Sequence, residues 1–292
     1  MSLGIRTNFE YHVPKNLDEA LELLAEYGSE ARPIAGGTDV IPKIKSGVME
    51  FSHLVSLKEL DELRSTYIDE DGTLHLGACT TIRETETFPG VKETWPALWE
   101  AMHSMANTQV RNRGTVVGNI CNAVPSCENG PALIVYGASV VIKKKGGSRV
   151  VPITEFFTGV LQTVVEPDEL VTEIIIPKPA DGSSSIYYKY ALRKALDLAM
   201  VGVASCVLLD SEGVVKDAKI GLGAVAVVPK RAYNAEEFIA GKKLTEELIE
   251  EAAAVASQQD CKPITYIRGT AEYRREMVRV HVRDALRLAA GL

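Results

Sequence analysis

Cysteine is scarce in this sequence, and the arrangement of the five cysteines excludes several kinds of site. They are scattered along 292 residues, are odd in number, and contain no CxxC pair. Such a set does not form the framework of a disulfide-rich secreted domain, and no cysteine and histidine residues share the spacing of a zinc site. The sequence therefore predicts free thiols, with no metal ion and no iron–sulfur cluster bound by this chain.

Long hydrophobic runs and basic clusters are also missing. The longest apolar segment, residues 131–142, is too short to span a bilayer and is interrupted by Gly137. The N-terminus lacks a basic region followed by an apolar one, so a cytoplasmic location is expected. The formal net charge is −7, and the one local basic cluster, at residues 143–145, precedes two turn glycines. Nucleic acid is therefore not an expected partner, because no basic stripe would neutralise its phosphates.

Two common nucleotide-binding motifs are absent as well. The chain has neither the GxGxxG spacing of a Rossmann fold nor a Walker A loop. What it does have is two loops rich in glycine, hydroxyl and amide side chains, "ARPIAGGTDV" at residues 31–40 and "RNRGTVVGNICNAVPS" at residues 111–126. Each loop follows an apolar run. Any nucleotide held by these loops would have to be bound by a different fold.

The first loop has the composition of a phosphate-binding turn. Gly36 and Gly37 allow positive φ and leave no Cβ in the way of a ligand. Successive backbone N–H groups in such a turn can converge on a pyrophosphate, and Thr38 adds a hydroxyl donor. Asp39 is expected to bond to the loop backbone or to a ligand hydroxyl. A purely structural turn remains an alternative for this stretch taken alone.

The second loop adds side chains that suit a sugar or ribityl chain. Arg111 and Arg113 bracket Asn112, and further glycine, threonine and asparagine residues follow. Amides and hydroxyls can bond ligand hydroxyls, whereas backbone N–H groups can bond phosphates. A tight connection with surface arginines is the structural alternative. Together, the two loops favour a dinucleotide site.

Periodicity and turn residues predict the elements of the first part of the chain. Asn16 can cap a helix over residues 16–28, Glu19 can close a capping box, and Gly28 can end the helix. Residues 31–37 predict a short strand that enters the first loop, and either a strand or a helix can follow. Asp71 and Gly72 predict a hairpin turn. The remaining predicted elements are strands at 53–57, 74–80 and 171–176, helices at 95–106 and 129–138, and a hairpin at 139–153.

A segment rich in Pro, Gly and Ser, residues 177–185, predicts a linker. Three alternating strands follow at 186–193, 200–210 and 214–226, and then helices at 231–240, 245–258 and 270–289. This order predicts an antiparallel sheet covered by helices, an α+β arrangement. Met102 and Met105 are interpreted as core residues of the 95–106 helix.

The two loops and their surroundings carry a family resemblance. "PIAGGTDVIPKIKSG" and "TQVRNRGTVVGNICNAVPSCENGPALIVYGA" resemble the paired motifs of the FAD-binding subunit of molybdenum hydroxylases. That family includes the medium subunit of carbon monoxide dehydrogenase and the FAD subunit of xanthine dehydrogenase. "YYKYALRKALDLAMVGVA" and "RGTAEYRREMVRVHVRDAL" are similar to its C-terminal domain, so the resemblance covers nearly the whole chain.

The resemblance implies an α+β fold. Residues 1–178 would form a vanillyl-alcohol-oxidase-like (PCMH-type) FAD-binding domain made of two α+β halves that divide near residue 58. Residues 184–292 would form a smaller α+β domain with a three-stranded antiparallel sheet and helices. FAD would lie extended between the two halves of the first domain.

The resemblance also implies which residues bind FAD. They are Pro33, Ile34, Ala35, Gly36, Gly37, Thr38, Asp39, Val40, Thr108, Arg111, Gly114, Thr115, Val116, Val117, Gly118, Asn119, Asn122, Ser126, Glu128, Val171 and Lys189. The flavin carries the redox chemistry, so no catalytic side chain is expected.

Three positions depart from the family pattern. Val117 replaces the first glycine of the usual Thr-Ile-Gly-Gly-Asn, which would be costly if that position needs positive φ. Glu128 replaces the usual Asp and reaches one methylene further. Cys127 has no counterpart with an assigned role.

In such enzymes a molybdopterin-containing large subunit oxidises the substrate, and an iron–sulfur small subunit passes the electrons on. The resemblance implies that this chain receives them on FAD and delivers them to an acceptor such as NAD. Two alternatives remain open from the sequence. One is a stand-alone flavin oxidoreductase of the same fold, and the other is a scaffold subunit with a degenerate FAD site, which Val117 favours.

Overall fold

A computed structural model describes residues 8–292, and the first seven residues of the expected FAD-binding domain lie outside it. The N-terminal elements are, in chain order, β1 Glu10–His12, α1 Leu17–Tyr27, β2 Ala31–Ile34, α2 Val40–Lys45 and β3 His53–Ser56. The three strands form a parallel sheet in the order β1-β3-β2. Helix α1 packs on this sheet because Ala20, Leu21 and Leu24 form one apolar face.

Local sequence signals explain the ends of α1. The Asn16 side chain accepts a hydrogen bond from the Glu19 N–H at 2.8 Å, and Gly28 ends the helix with φ of 51°. The predicted capping box is wrong in one detail, since the Glu19 carboxylate accepts from the N–H of Lys15 instead of the N–H of Asn16. The stretch from residue 31 follows a strand–loop–helix path from β2 to α2, which the pattern alone left open.

A second, antiparallel sheet forms the other half of the N-terminal region. Its strands are β4 Thr66–Ile68, β5 Leu74–Gly77, β6 Ser139–Lys144, β7 Gly147–Pro152 and β10 Leu170–Ile176, in the order β4-β5-β10-β6-β7. A small separate hairpin consists of β8 Phe157–Gly159 and β9 Gln162–Thr163. The helices are α3 Ile82–Glu86, α4 Val91–Thr94, α5 Pro96–His103, α6 Thr108–Arg111, α7 Val116–Cys121, α8 Asn129–Val135 and α9 Ile153–Phe156.

Most predicted elements of this half form, although several end early. Helix α5 stops at His103, three residues before the predicted end, and Ala106 then takes φ of 47°, which a right-handed helix cannot contain. Helix α8 stops at Val135, two residues before Gly137 at φ of 66°. The turn at Asp71 and Gly72 joins β4 to β5, as the sequence predicts.

The C-terminal sheet is antiparallel, with strands β11 Ser184–Tyr190, β12 Val201–Leu209, β13 Val215–Gly223 and β14 Lys230–Arg231 in chain order. The two-residue β14 adds a fourth strand to the three that were predicted. Three helices cover one face: α10 Tyr233–Ile239, α11 Glu246–Val255 and α12 Ala271–Ala290. Within residues 8–292, no helix has both the length and the apolar character needed to cross a membrane.

The C-terminal sheet is buried on both faces. Val201, Val203 and Val207 of β12 pack towards the C-terminal helices, whereas Ala204 and Cys206 belong to the core of the N-terminal region. The second contact is close, because a Cβ on Gly221 would lie 2.5 Å from the Pro131 carbonyl oxygen of α8. Glycine at this position therefore lets β13 approach the helix that follows the second glycine loop.

Candidate cofactor-binding site

The two glycine loops meet in space, as the paired-motif prediction requires. A Cβ on Gly36 would lie 1.9 Å from the Arg113 carbonyl oxygen, so only glycine allows this approach of one backbone to the other. Gly37 takes φ of 72°, in the left-handed region. The expectation that both glycines take positive φ and clear space for a ligand is therefore wrong for Gly36. Its missing Cβ makes room for the second loop.

A cleft of about 510 Å³ opens beside the joined loops, within the range usual for small-molecule sites. Its walls come from β2, the first loop, α2, the second loop and α7. The predicted residues that line it are Pro33, Ala35, Gly36, Gly37, Thr38, Asp39, Val40, Gly114, Thr115, Gly118, Asn119 and Asn122. The structure thus brings both loops to one cavity.

The first loop presents a row of backbone donors. No hydrogen bond joins the backbone N–H groups of residues 36–40 to any other part of the chain between residues 8 and 292. Consecutive N–H groups of this kind form a concave donor surface that favours an anion such as a phosphate. Arg32 and Lys43 add positive charge to the same cleft.

Three side chains tie the loops together across the cleft. The Asn122 amide donates to Asp39 Oδ1 at 2.8 Å, and Lys43 donates to Asn122 Oδ1. Asp39 is exposed as a residue, but partial desolvation by the surrounding loops raises the pKa of its carboxyl, against the opposing effect of the Lys43 ammonium group. The carboxylate that was expected to bond the loop or a ligand therefore bonds the second loop. Its remaining lone pairs can accept from ligand hydroxyls.

Cys127, for which the sequence offered no role, orients a cleft residue. Its thiol donates to Asn119 Oδ1 at 3.0 Å, and the Asn129 amide donates to the same oxygen at 3.1 Å. With its oxygen engaged twice, the Asn119 side chain has only its NH₂ group left to offer to the cleft. Burial raises the pKa of the Cys127 thiol well above the usual range, so the thiol keeps the proton that it donates.

Arg111 and Thr108 lie away from this cleft and line a separate cavity of about 320 Å³. Arg111 is buried, and its guanidinium group contacts Glu86 Oε2 at 3.3 Å and donates to the Met105 carbonyl at 2.7 Å. Met105 lines the 510 Å³ cleft. Arg111 therefore reaches the cleft only indirectly, by fixing the backbone of one of its walls.

Glu128 and Lys189 form a buried ion pair between the N-terminal region and β11. Lys189 Nζ lies 3.0 Å from Glu128 Oε1 and donates to the Ser104 carbonyl at 3.0 Å, and both side chains are less than a tenth exposed. Burial raises the pKa of the Glu128 carboxyl, whereas the Lys189 ammonium group favours its charged form. Neither residue lines the 510 Å³ cleft, but Ser104 directly precedes Met105 of its wall.

The other predicted residues do not reach the cleft wall. The side chains of Ile34, Val116, Val117 and Val171 are in the hydrophobic core, and Ser126 is half-buried after α7. Val117 lies inside α7 and has no positive φ. Valine therefore costs no backbone strain at this position, and the reason for expecting a degenerate site is removed.

Two of the five non-glycine residues with positive φ in residues 8–292 lie beside the cleft. Ala123 and Leu161 take φ of 47° and 59°, and the Leu161 N–H donates to the Ala123 carbonyl at 2.8 Å. Leu161 lines the cleft, and Ala123 follows the cleft residue Asn122. Left-handed conformations cost a non-glycine residue on the order of 1 kcal/mol or more, and they persist where surrounding contacts enforce them, often at ligand sites.

The sequence reasoning missed several residues that line the cleft, and three of them, Lys43, Met105 and Leu161, show why. Lys43 could have been found, because it lies four residues after Asp39 and shares a helix face with it. Met105 is buried in the hydrophobic core, as interpreted, but it lies beyond the end of α5 and also lines the cleft. Leu161 lies in the β8–β9 hairpin, far from either motif, and no local signal marks it.

Comparison with known families assigns both parts of the chain. Residues 7–179 match the model of the FAD binding domain in molybdopterin dehydrogenase. Residues 186–289 match the model of the CO dehydrogenase flavoprotein C-terminal domain.

Individual relatives agree over almost the full length. The carbon monoxide dehydrogenase medium chain of Hydrogenophaga pseudoflava is 35% identical over 285 residues, which cover 98% of each chain. The xanthine dehydrogenase FAD-binding subunit of Escherichia coli O157:H7 is 31% identical over 277 residues, 94% of each chain. A solved carbon monoxide dehydrogenase from Hydrogenophaga pseudoflava has 34% identity and a TM-score of 0.93 over 99% of both chains. This chain therefore belongs to the family of FAD-binding medium subunits of the xanthine dehydrogenase and carbon monoxide dehydrogenase type.

Proposed function

We propose that this chain binds FAD in the 510 Å³ cleft and passes electrons from the iron–sulfur clusters of a partner subunit to an acceptor such as NAD. The observation that carries the proposal is the convergence of the two glycine loops on one cleft, where the backbone N–H groups of residues 36–40 have no hydrogen-bond partner among residues 8–292. Family membership supports it independently. Bound FAD would supply the redox chemistry, since flavins exchange electrons singly and in pairs.

The residues of the cleft fit the parts of FAD. The N–H groups of residues 36–40 would hold the pyrophosphate, with Arg32 and Lys43 offsetting its charge. The NH₂ group of Asn119 and the Asp39 carboxylate would bond ribityl or ribose hydroxyls. Hydrogen bonds hold the side chains of Asp39, Lys43 and Asn119 in place before the ligand arrives, so little ordering entropy would oppose binding.

The predicted residues outside the cleft would position its walls. Arg111 holds the Met105 carbonyl, and Lys189 holds the preceding Ser104 carbonyl while it pairs with Glu128. In this proposal both cations act on the 104–105 segment, Arg111 from α6 and Lys189 from β11. Lys189 thereby couples the C-terminal sheet to the cofactor cleft.

The family relationship also supports a division of labour between chains. We propose a molybdopterin-containing large subunit and an iron–sulfur small subunit as partners of this chain. Within this chain we propose two domains, residues 1–178, divided near residue 58, and residues 184–292. The matched ranges 7–179 and 186–289, together with the change of sheet between β3 and β4, support these bounds. Substrate oxidation would then take place in another chain.

The visible absorption spectrum of the purified chain tests the cofactor part of the proposal. We expect an oxidised-flavin spectrum and release of FAD on denaturation. Gly37→Ala should weaken FAD binding, because the new Cβ would lie 3.1 Å from Ile34 Cδ1 in a left-handed backbone at the loop. Gly146→Ala is the matched control, since Gly146 also has positive φ, of 79°, but a Cβ there would meet no atom of residues 8–292 within 4 Å. A colourless protein that FAD cannot reconstitute would contradict the proposal.

Electron transfer is tested in the assembled enzyme. The chain is co-expressed with the molybdenum and iron–sulfur subunits, and flavin reduction by substrate is followed in stopped flow with and without the iron–sulfur subunit. We expect reduction by substrate only when that subunit is present, and reoxidation when NAD is added. Reduction without it would instead identify a stand-alone oxidoreductase. Reoxidation by a quinone or by oxygen, but not by NAD, would identify that compound as the electron acceptor instead of NAD.

A further inference from the structure

A cluster of potential metal ligands lies at the N-terminal sheet, apart from the cofactor cleft. Glu10 and His12 of β1 and His53 of β3 place one ligand atom each within 4.8 Å of the others. His12 Nε2 lies 3.0 Å from His53 Nδ1, and Glu10 Oε2 lies 3.8 Å from the same His53 atom. The sequence did not predict this cluster, because His53 is 41 residues from His12.

Strand geometry explains why the three side chains share one face. Glu10 and His12 are two residues apart on β1, so both project to the same side of the sheet. Glu10 pairs in register with His53 on the neighbouring parallel strand. Glu10 and His53 begin their strands and His12 ends β1. None of the three residues lines the cofactor cleft. In the strand order β1-β3-β2, β1 is separated by β3 from β2, the strand that leads into the first glycine loop.

The separations suit a tetrahedral metal ion. With metal–nitrogen bonds of about 2.0–2.1 Å, two ligand atoms of a tetrahedral zinc site lie roughly 3.3 Å apart. The two imidazole nitrogens are already at 3.0 Å. The Glu10 oxygen needs only a small movement, and its side chain is 67% exposed and free to make it.

The His53 ring is held in place for such a role. The Tyr27 ring of α1 stacks on it with centroids 3.6 Å apart and an interplanar angle of 11°. The His12 ring also stacks on the Tyr27 ring, with centroids 5.4 Å apart and an interplanar angle of 29°. A fixed ligand loses less entropy when the ion binds.

We propose that Glu10, His12 and His53 bind a divalent cation of the zinc class, with water as the fourth ligand. Two imidazoles and one carboxylate form a donor set that zinc accepts. Within residues 8–292, β1 is paired only with β3, so an ion bridging these strands would fasten the N-terminal strand to the sheet. The ion would stabilise the folded chain by mass action. This proposal does not depend on the cofactor site.

Isothermal titration of the chelator-treated full chain with zinc chloride tests the proposal. We expect one ion per chain. His12→Ala should weaken zinc binding by more than about 100-fold, because even the hydrogen-bond partners of metal ligands change affinity by roughly 10- to 100-fold. His75→Ala is the matched control, since the two nitrogens of His75 face separate carboxylates, Glu173 at 2.7 Å and Asp69 at 3.2 Å. Equal zinc affinity of His12→Ala and the unchanged chain would overturn the proposal.

Histidine side-chain NMR gives a second readout that identifies the ligands. The chain has only five histidines, so their ring signals can be assigned by single substitutions. Zinc should shift the signals of His12 and His53 and leave those of His75, His103 and His281 unchanged. The exposed variant Glu10→Gln should fold normally and bind zinc more weakly. Shifts spread over all five rings, or none at His12 and His53, would show that the two imidazoles share only a hydrogen bond.

Discussion

The close approach of the two glycine loops makes Gly36→Ala the most informative single substitution. A Cβ at this position would lie 1.9 Å from the Arg113 carbonyl oxygen, whereas Cβ atoms essentially never come within 3.0 Å of a heavy atom outside their own and the adjoining residues. The loops would have to separate by at least about 1.1 Å to relieve the clash. No change of side-chain rotamer can relieve the clash, because the backbone fixes the positions of both the Cβ atom and the carbonyl oxygen.

The magnitude follows from the cost of overpacking. Adding one carbon to a closely packed position costs roughly 1–3 kcal/mol. If the loops move apart in the ligand-free variant, FAD binding has to bring them back together, against the clash, before the N–H groups of residues 36–40 can contact the ligand. Since about 1.4 kcal/mol corresponds to a tenfold change in affinity, Gly36→Ala should weaken FAD binding roughly 5- to 150-fold.

Titration of the apo chain with FAD, followed by flavin fluorescence, measures this effect. Gly147→Ala is the matched control, because Gly147 also lacks positive φ and a Cβ there would have no neighbour within 4 Å. Its affinity for FAD should stay within about twofold of the unchanged chain, as expected for a surface change of under about 0.5 kcal/mol. If Gly36→Ala also stays within about twofold, the cleft does not depend on the spacing of its loops, and the reasoning fails.

Three further predictions concern stability and are checked by urea unfolding. Lys189→Met should lower the free energy of unfolding by about 3–5 kcal/mol, because it leaves buried Glu128 without its counter-ion, and adding Glu128→Gln should restore most of the loss. A loss of less than about 1 kcal/mol in Lys189→Met alone would contradict this prediction. The Arg149 guanidinium group lowers the pKa of Glu169, so the unchanged chain should be more stable than Glu169→Gln above the unfolded carboxyl pKa of about 4.3. This difference in the free energy of unfolding should vanish as pH falls through the lowered native pKa, and a difference that does not depend on pH would contradict the prediction. Trp95→Phe should cost roughly 1–3 kcal/mol, because the fully buried indole N–H donates to a backbone carbonyl that would lose its partner, and an unchanged midpoint would count against this.

Much of the secondary structure could be predicted because its signals are local. Helix α1 has its cap at Asn16 and its terminating glycine at Gly28, and both act as predicted. The hairpin of β6 and β7 turns at the expected glycines. The predicted ends of helices were wrong where the deciding feature was not local. Ala106, for example, has a left-handed conformation that the helix α5 cannot include, although alanine favours helix.

The sequence could predict which loops form the site and what type of ligand they suit, but it could not predict the contacts between residues within the site. The motifs marked both loops, and residues from each line one cleft. The sequence assigned Gly36 to ligand clearance, yet its neighbour is the Arg113 carbonyl. It left Cys127 without a role, although the thiol fixes the Asn119 amide. Such assignments depend on atoms brought together from distant parts of the chain, and spacing along the chain does not record them.

The sequence by itself determined the family, the order of elements and the two loops that would face a cofactor, because periodicity, caps and glycine motifs are written locally. Only the tertiary structure decided which residues reach the cleft. It buried Val117 in a helix, turned Arg111 to the 104–105 segment and placed His53 beside His12. The physical reason is that burial, close approach and ion pairing depend on three-dimensional packing between elements, which a linear pattern constrains but does not specify.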